Sequence, residues 1–496
     1  MKDSNGNRRT NTHNAAFRRL FVGTLTETKS AHIHPPGACS PHIHPPGACS
    51  PHDRHPKVCT PYDTHPATHT LRDSHPTTHT TGTHQPEAVP TGSLGLHSIS
   101  LSLRSGFANV DHTVMSNPNP SFLVKRGHLL IAAHEVAGKA KAAVYATHDD
   151  GSIEHISTIA DKSGAECCHI ALHPNGRWVY GANRESGSLS CWPLRLDNSF
   201  GPLQTRIQHE GHGLNLCRQK SPHIYSATFV GVGTPRMPIL AVPDLGTDTI
   251  TLYEAPASDG IRPEPYASIY TPAGFGPRMV VPRPHHPGQL AVVGELANSV
   301  IIYDINPHEA QPESANHLES AARSAHTTQG VRPTQSRHTI SADPAAQYTH
   351  ATQHTHVTEN TYSGEQYDFG IASIPVAKKW QELDRFDLPS CCGIRSHATH
   401  AEFSPCGRWL YVSISGKNVI AVYELDEKAR VIAQTRLPCG GTCPRHFSIS
   451  PCGNYLAVAN LESNNIVVFF APKAEDKDIC EICRIEIPSP TCVIWG

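Results

Sequence analysis

Pro405-Cys406-Gly407-Arg408-Trp409-Leu410-Tyr411-Val412-Ser413 reads as a tight turn feeding a strand. Proline presets the turn, glycine supplies the φ > 0 position, and the aromatic and aliphatic run favours extended backbone. The unit recurs. Pro174-Asn175-Gly176-Arg177-Trp178-Val179-Tyr180-Gly181-Ala182-Asn183 and Pro451-Cys452-Gly453-Asn454-Tyr455-Leu456-Ala457-Val458-Ala459-Asn460 are copies, and Pro287-Gly288-Gln289-Leu290-Ala291-Val292-Val293-Gly294 is a weaker one. A second strand follows several copies: Ser188-Leu189-Ser190-Cys191-Trp192, Asn298 to Tyr303, Asn418 to Tyr423 and Asn465 to Phe469. Two strands and a turn, repeated, indicate a β repeat architecture. Gly407 and Gly453 lie 46 residues apart, within the ~40–50-residue period of four-stranded propeller blades.

Two stretches interrupt the pattern. Residues 30–92 carry a decaying His/Pro decapeptide tandem beginning Ala31-His32-Ile33-His34-Pro35-Pro36-Gly37-Ala38-Cys39-Ser40, with only Ile33, Ile43, Val58, Leu71 and Val89 as aliphatic β-formers. Residues 306–370 offer only Leu318, Val331, Ile340 and Val357 amid Thr, His, Gln and Ala. Neither buries enough apolar surface to offset its ordering entropy, so both are expected to be long disordered loop insertions. Long insertions at surface hairpins cost little because closure entropy grows logarithmically. Setting them and a polar tail at 1–18 aside leaves roughly 350 residues, room for seven blades of about 50, with six or eight also arithmetically possible. The expected fold is all-β: one seven-bladed β-propeller over 19–496, interrupted by the two insertions.

The formal net charge is −2 and the isoelectric point about 7.1, which gives no bulk pull toward nucleic acid or anionic membrane. No apolar run reaches the length of a membrane-spanning helix. Met1-Lys2-Asp3-Ser4-Asn5-Gly6-Asn7-Arg8-Arg9 has no apolar core of a secretory signal. Of sixteen cysteines, Cys167-Cys168 and Cys391-Cys392 are adjacent pairs, while Cys406 and Cys452 sit in turns. Reduced thiols in a cytoplasmic protein are expected. Cys480-x-x-Cys483 has no partner pair at zinc-finger spacing and reads as strand packing, so no metal or cofactor is expected.

A further phrase combines an Arg and a His with a strand and an Asp/Gly turn: Arg218-Gln219-Lys220-Ser221-Pro222-His223-Ile224-Tyr225-Ser226, then Val242-Pro243-Asp244-Leu245-Gly246-Thr247-Asp248. With Phe21-Val22-Gly23-Thr24, Asn119-Pro120-Ser121-Phe122-Leu123, Cys168-His169-Ile170-Ala171, Gly276-Pro277-Arg278, Glu295-Leu296, Cys443-Pro444-Arg445-His446-Phe447 and Pro488-Ser489-Pro490-Thr491-Cys492-Val493, it forms an ordered series. The series resembles the lactonase family of seven-bladed propellers, which includes 6-phosphogluconolactonases of propeller type and carboxy-cis,cis-muconate cyclases. The resemblance implies ring closure, with the strand near Phe21 completing the last blade. It implies a site at one mouth of the axial channel built from His223, Arg278, Glu295 and Arg445, with Arg218 and Asp244 as binding or orienting residues.

Lactone hydrolysis needs a base for water and a donor for the oxyanion. On the resemblance, His223 or Glu295 is the base, and Arg278 and Arg445 hold a phosphate or carboxylate. The implied activity is lactone hydrolysis, with 6-phosphogluconolactone the leading substrate, in carbohydrate metabolism. A muconate-cycloisomerase-like reaction and a non-catalytic propeller that binds protein are the alternatives. Three positions depart from the family: Met279 and Tyr225 stand where histidine is common, and Gly294 where asparagine is.

Overall fold

A computed structural model describes residues 17–25, 95–115, 117–234, 237–305, 380–390, 396–473 and 480–496. The expected disordered insertions at 30–92 and 306–370 lie outside the described residues, as does most of the expected tail.

Seven four-stranded antiparallel sheets form the seven blades of a propeller. Blade 1 is made of Pro490–Trp495, Phe17–Thr24, Leu96–Ser102 and Ala108–Val114, in that order from the axis outward. Blades 2 to 7 begin with the innermost strands Pro120–Arg126, Cys167–Leu172, Thr228–Thr234, Pro277–Pro282, His397–Phe403 and Pro444–Ile449. The first strand starts at Phe17, two residues ahead of the expected boundary. Closure differs from the expectation. The N-terminal strand does not complete the last blade; the C-terminal strand Pro490–Trp495 supplies the innermost strand of the first, and three strands from the N-terminal part complete it. Either split joins the two ends and removes free sheet edges around the axis.

In blades 3, 6 and 7 a Pro-x-Gly turn joins the innermost strand to the next one out. Gly176, Gly407 and Gly453 hold φ values of 72°, 72° and 75°, the left-handed region open to glycine. In two of these turns Ser404 and Ser450 Oγ accept the N–H of Trp409 and Tyr455, each at 3.0 Å.

The core lies between blades. The second and third strands are largely buried on both faces, as in Trp178–Asn183 and in Asn465–Phe470 up to its exposed last residue, so they read as continuous apolar runs. The outermost strands alternate, as in Val431–Pro438. Val281, Val293, Phe403, Val412 and Tyr423, for example, pack blade 5 on blade 6. Each such side chain contributes about 1.5–3 kcal/mol on burial.

Cys483 packs in the core beside Ile466 and Trp495, while Cys480 is exposed. Ten described cysteines are free. Cys217 is disulfide-bonded, so the expectation of reduced thiols fails at that position. No helix among the described residues is long and apolar enough to cross a membrane.

Candidate functional site

The innermost strands share a local irregularity that builds one mouth of the channel. Register shifts skip one residue near the start of each: Ser121, Cys168, Arg278, Thr399, Arg445 and Thr491 stand without a cross-strand partner. In blade 4 the same offset falls within Tyr225–Ala227, between the Ile224–Asp244 bridge and the Thr228–Ala241 pair. Such a bulge re-aims its side chain. Here it turns one residue of each blade toward its neighbours at the axis.

Hydrogen bonds then link adjacent blades. Thr491 Oγ1 donates to Pro120 O (3.2 Å), Cys168 Sγ to Tyr225 O (3.5 Å) and Ser226 Oγ to Arg278 O (3.2 Å). Arg278 Nε donates to Thr399 O (3.2 Å), and Thr399 Oγ1 to Pro444 O (2.5 Å).

A second set comes from the residue just after the one in each second strand that pairs with the start of the innermost strand: His134, Asn183 and Gly294 pair with Pro120, Cys167 and Pro277. Glu135, Arg184 and Glu295 occupy this position in blades 2, 3 and 5, each donating its N–H to the carbonyl of Asn119, Glu166 or Gly276. Sequence reading found Glu295 but missed Arg184, Glu166 and Glu135 as site residues. Aligning the repeats by strand end would have exposed Arg184, since it follows Asn183 as Glu295 follows Gly294.

These residues pair both within and across blades. Glu295 is buried, with Oε1 accepting from Arg218 Nη2 at 2.5 Å and Oε2 accepting from Arg278 Nη1. Burial alone would raise the Glu295 carboxyl, but the Arg278 and Arg218 guanidiniums overcome it and hold the group at about 2. Arg184 pairs with Glu166. Arg445 of blade 7 reaches Glu135 of blade 2 at 2.7 Å, past blade 1. The Arg278 guanidinium lies 4.4 Å from the Tyr225 ring centre, and that of Arg184 lies 5.8 Å away. Cys168 is the hub: burial first, and then Glu135, push its thiol up to about 12, against the pull of Arg184, Arg278 and Arg445.

His223 is half-buried and its Nδ1 lies 3.1 Å from Arg184 O. A carbonyl only accepts, so Nδ1 donates to it, and in the neutral ring Nε2 holds the lone pair. Asp244 is fully buried and faces the turn. Its Oδ1 accepts the N–H of His223 (2.7 Å) and of Gly246 (2.9 Å), and its Oδ2 lies 2.9 Å from His209 Nδ1. Thus the structure links five of the six candidates as His223–Asp244 and Arg218–Glu295–Arg278, and brings Arg445 in from the far side of Cys168 through Glu135.

Beneath the mouth lies a floor of rings. His169 stacks on Phe122 (4.0 Å), Phe122 meets the edge of His446 (5.5 Å), and His446 stacks on His400 (3.8 Å). Burial holds His169 and His446 at about 3 and His400 well below the usual imidazole range, so all three are neutral. Met279, where the family commonly has histidine, packs against the apolar layer of blades 5 and 6.

A sequence profile described as "Lactonase, 7-bladed beta-propeller" matches residues 78–360 and 378–495. The chain is 24% identical over 409 residues to a 6-phosphogluconolactonase of Bacillus subtilis, covering 81% of this chain and 94% of that one. It is 22% identical to a probable 6-phosphogluconolactonase of Arthroderma benhamiae, covering 82% and 88%. Among solved structures it superposes on a putative 6-phosphogluconolactonase from Bacteroides fragilis (TM-score 0.61, 16% identity, 97% and 98% covered). It also superposes on a periplasmic gluconolactonase from Pseudomonas aeruginosa (TM-score 0.61, 18% identity, 97% and 99% covered). With a profile match over most of its length and the seven blades to go with it, the chain belongs to the lactonase family of seven-bladed β-propellers.

Proposed function

We propose that this protein hydrolyses a lactone bearing a phosphate or carboxylate, with 6-phosphogluconolactone the first substrate to test. The observation that carries the reading is the buried Arg218–Glu295–Arg278 group at the axial mouth of a lactonase-family propeller. Two guanidiniums share one carboxylate there, while Arg184 and Arg445 each have their own. The surplus positive charge favours an anionic substrate. The named relatives support a phosphosugar lactone.

In this reading His223 Nε2 is the base that takes a proton from water. Glu295 is not the base: both its oxygens are engaged, and a carboxyl held at about 2 is a poor proton acceptor. It fixes Arg278 and Arg218, which with Arg445 hold the anionic group and stabilise the oxyanion. Asp244 orients the segment that carries His223. A cytoplasmic setting is part of the proposal; the ten free cysteines support it and the Cys217 disulfide opposes it.

The test is hydrolysis of freshly made 6-phosphoglucono-δ-lactone above the spontaneous rate, beside Arg278→Ala and Glu295→Gln. Wild-type turnover that falls at least about tenfold in both variants supports substrate and site together. Wild-type activity no faster than buffer removes this substrate. A panel of carboxylated and neutral lactones then decides between another lactone and a binding propeller.

A further inference from the structure

We propose that the Tyr225 hydroxyl is a catalytic hydrogen-bond donor to the carbonyl oxygen of the bound ester. The proposal rests on the lactone-hydrolase reading above and adds a residue to it. Tyr225 stands at the blade-4 counterpart of the bulge position that aims Arg278 and Arg445 at the mouth. Its ring is clamped by the Arg278 guanidinium at 4.4 Å, with that of Arg184 at 5.8 Å. Its phenolic end lies within electrostatic reach of Arg184, Arg218 and Arg278. The residue is half-buried, and no hydrogen bond from the hydroxyl is present among the described residues. A rigid O–H donor among three cations therefore has its proton free for an acceptor in the mouth. Guanidiniums cannot accept that proton. An oxygen gaining negative charge can, and the surrounding positive field draws it there.

The reaction balances without a co-reactant. Water attacks the ester carbonyl carbon and gives a proton to His223 Nε2. The carbonyl electron pair moves to oxygen, which receives hydrogen bonds from the Tyr225 O–H and the Arg278 guanidinium. Collapse of this intermediate reforms the carbonyl and breaks the ring C–O bond. The departing ring oxygen takes the proton back from His223, giving the hydroxy acid. Tyr225 keeps its own proton throughout, and the step uses its dipole alone.

Tyr225→Phe separates the hydroxyl from the ring, because phenylalanine retains the face that Arg278 and Arg184 lie against. The expected result is a kcat lowered by roughly 10²–10³-fold, as for loss of an oxyanion donor, with KM little changed and the urea unfolding curve superimposed on wild type. Tyr225→Leu, which loses the ring as well, is expected to raise KM in addition by loosening both guanidiniums. Tyr225→Phe retaining kcat within about twofold of wild type, while wild type turns over a lactone, overturns the donor role and leaves the hydrolase reading intact. Wild type inactive on phosphorylated, carboxylated and neutral lactones alike overturns both.

Discussion

Glu295→Gln removes one negative charge from beneath two guanidiniums, and its effect should depend on pH in a way that identifies the cause. In the folded protein the carboxyl titrates at about 2 against an ordinary 4.5. The group therefore stabilises the fold fully above about 4.5, and that stability is lost as pH falls through the folded value. The difference corresponds to about 3 kcal/mol at neutral pH. An independent estimate agrees: breaking a buried ion pair costs about 3–5 kcal/mol, because the abandoned charges remain buried. Arg218 and Arg278 side chains are only 12% and 14% exposed, so solvent compensates them poorly. The assay is urea unfolding of wild type and Glu295→Gln, followed by tryptophan fluorescence between pH 7 and pH 3. The variant should be about 3 kcal/mol less stable at pH 7, with the two proteins converging as the pH drops below about 4.5. A gap that stays constant with pH, or no gap at pH 7, would refute the ion-pair argument.

Three other perturbations have defined outcomes. Burial pushes the Glu402 carboxyl up to about 8, against a hydrogen bond from Ile449 N–H. Its favourable contribution is complete below 4.5 and lost as pH rises through 8, so Glu402→Gln should flatten the decline in stability of wild type between those values and be the more stable protein at pH 9, measured by urea midpoints. Cys168 is held as a thiol by burial; iodoacetamide at pH 8 should leave it unmodified in the folded protein and label it after unfolding, as read by peptide mass spectrometry. A Cβ on Gly246 would come within 1.9 Å of Ser221 O and 2.8 Å of Pro222 Cα. Gly246→Ala should cost about 1–3 kcal/mol in a urea midpoint measurement and displace His223, lowering activity more than Asn or Ser changes at surface turns.

Much of the fold was legible because its signals are local. The Pro-x-Gly turns specify backbone within four residues, and doubly buried second and third strands announce themselves as apolar runs. The closure was read in principle but with the wrong division of strands. Pairing Phe17–Thr24 with Pro490–Trp495 is a contact between distant segments, and no local pattern tells whether one, two or three strands of a shared blade come from either end. The grouping at the candidate site was legible where a motif carried it, as at Gly276-Pro277-Arg278 and Glu295. It was not where meaning lies in register. Arg184 is an unremarked charge after a strand until its blade is superposed on that of Glu295. Glu135 acquires its place only when Arg445 arrives from a blade two positions away. The sequence left the base open between His223 and Glu295, because a carboxylate's partners decide its proton affinity, and both partners of Glu295 are brought to it by the fold.

The strand that closes blade 1 also sets a schedule. Thr491 donates to the carbonyl of Gly23, 468 residues earlier in the chain. At ribosomal rates of about 5–20 residues per second, roughly 20–90 s separate synthesis of the two. Throughout that interval the inner edge of Phe17–Thr24 has no partner and remains a template for pairing with other chains. Blades 2 to 7 can collapse in order as they emerge. The face that Arg445 reaches across takes its final shape only when Pro490–Trp495 slides in between blades 7 and 2. A nascent chain cut short of that strand would hold the charged residues of the mouth without the Arg445–Glu135 link across blade 1, so the complete mouth should form only once Pro490–Trp495 has been made.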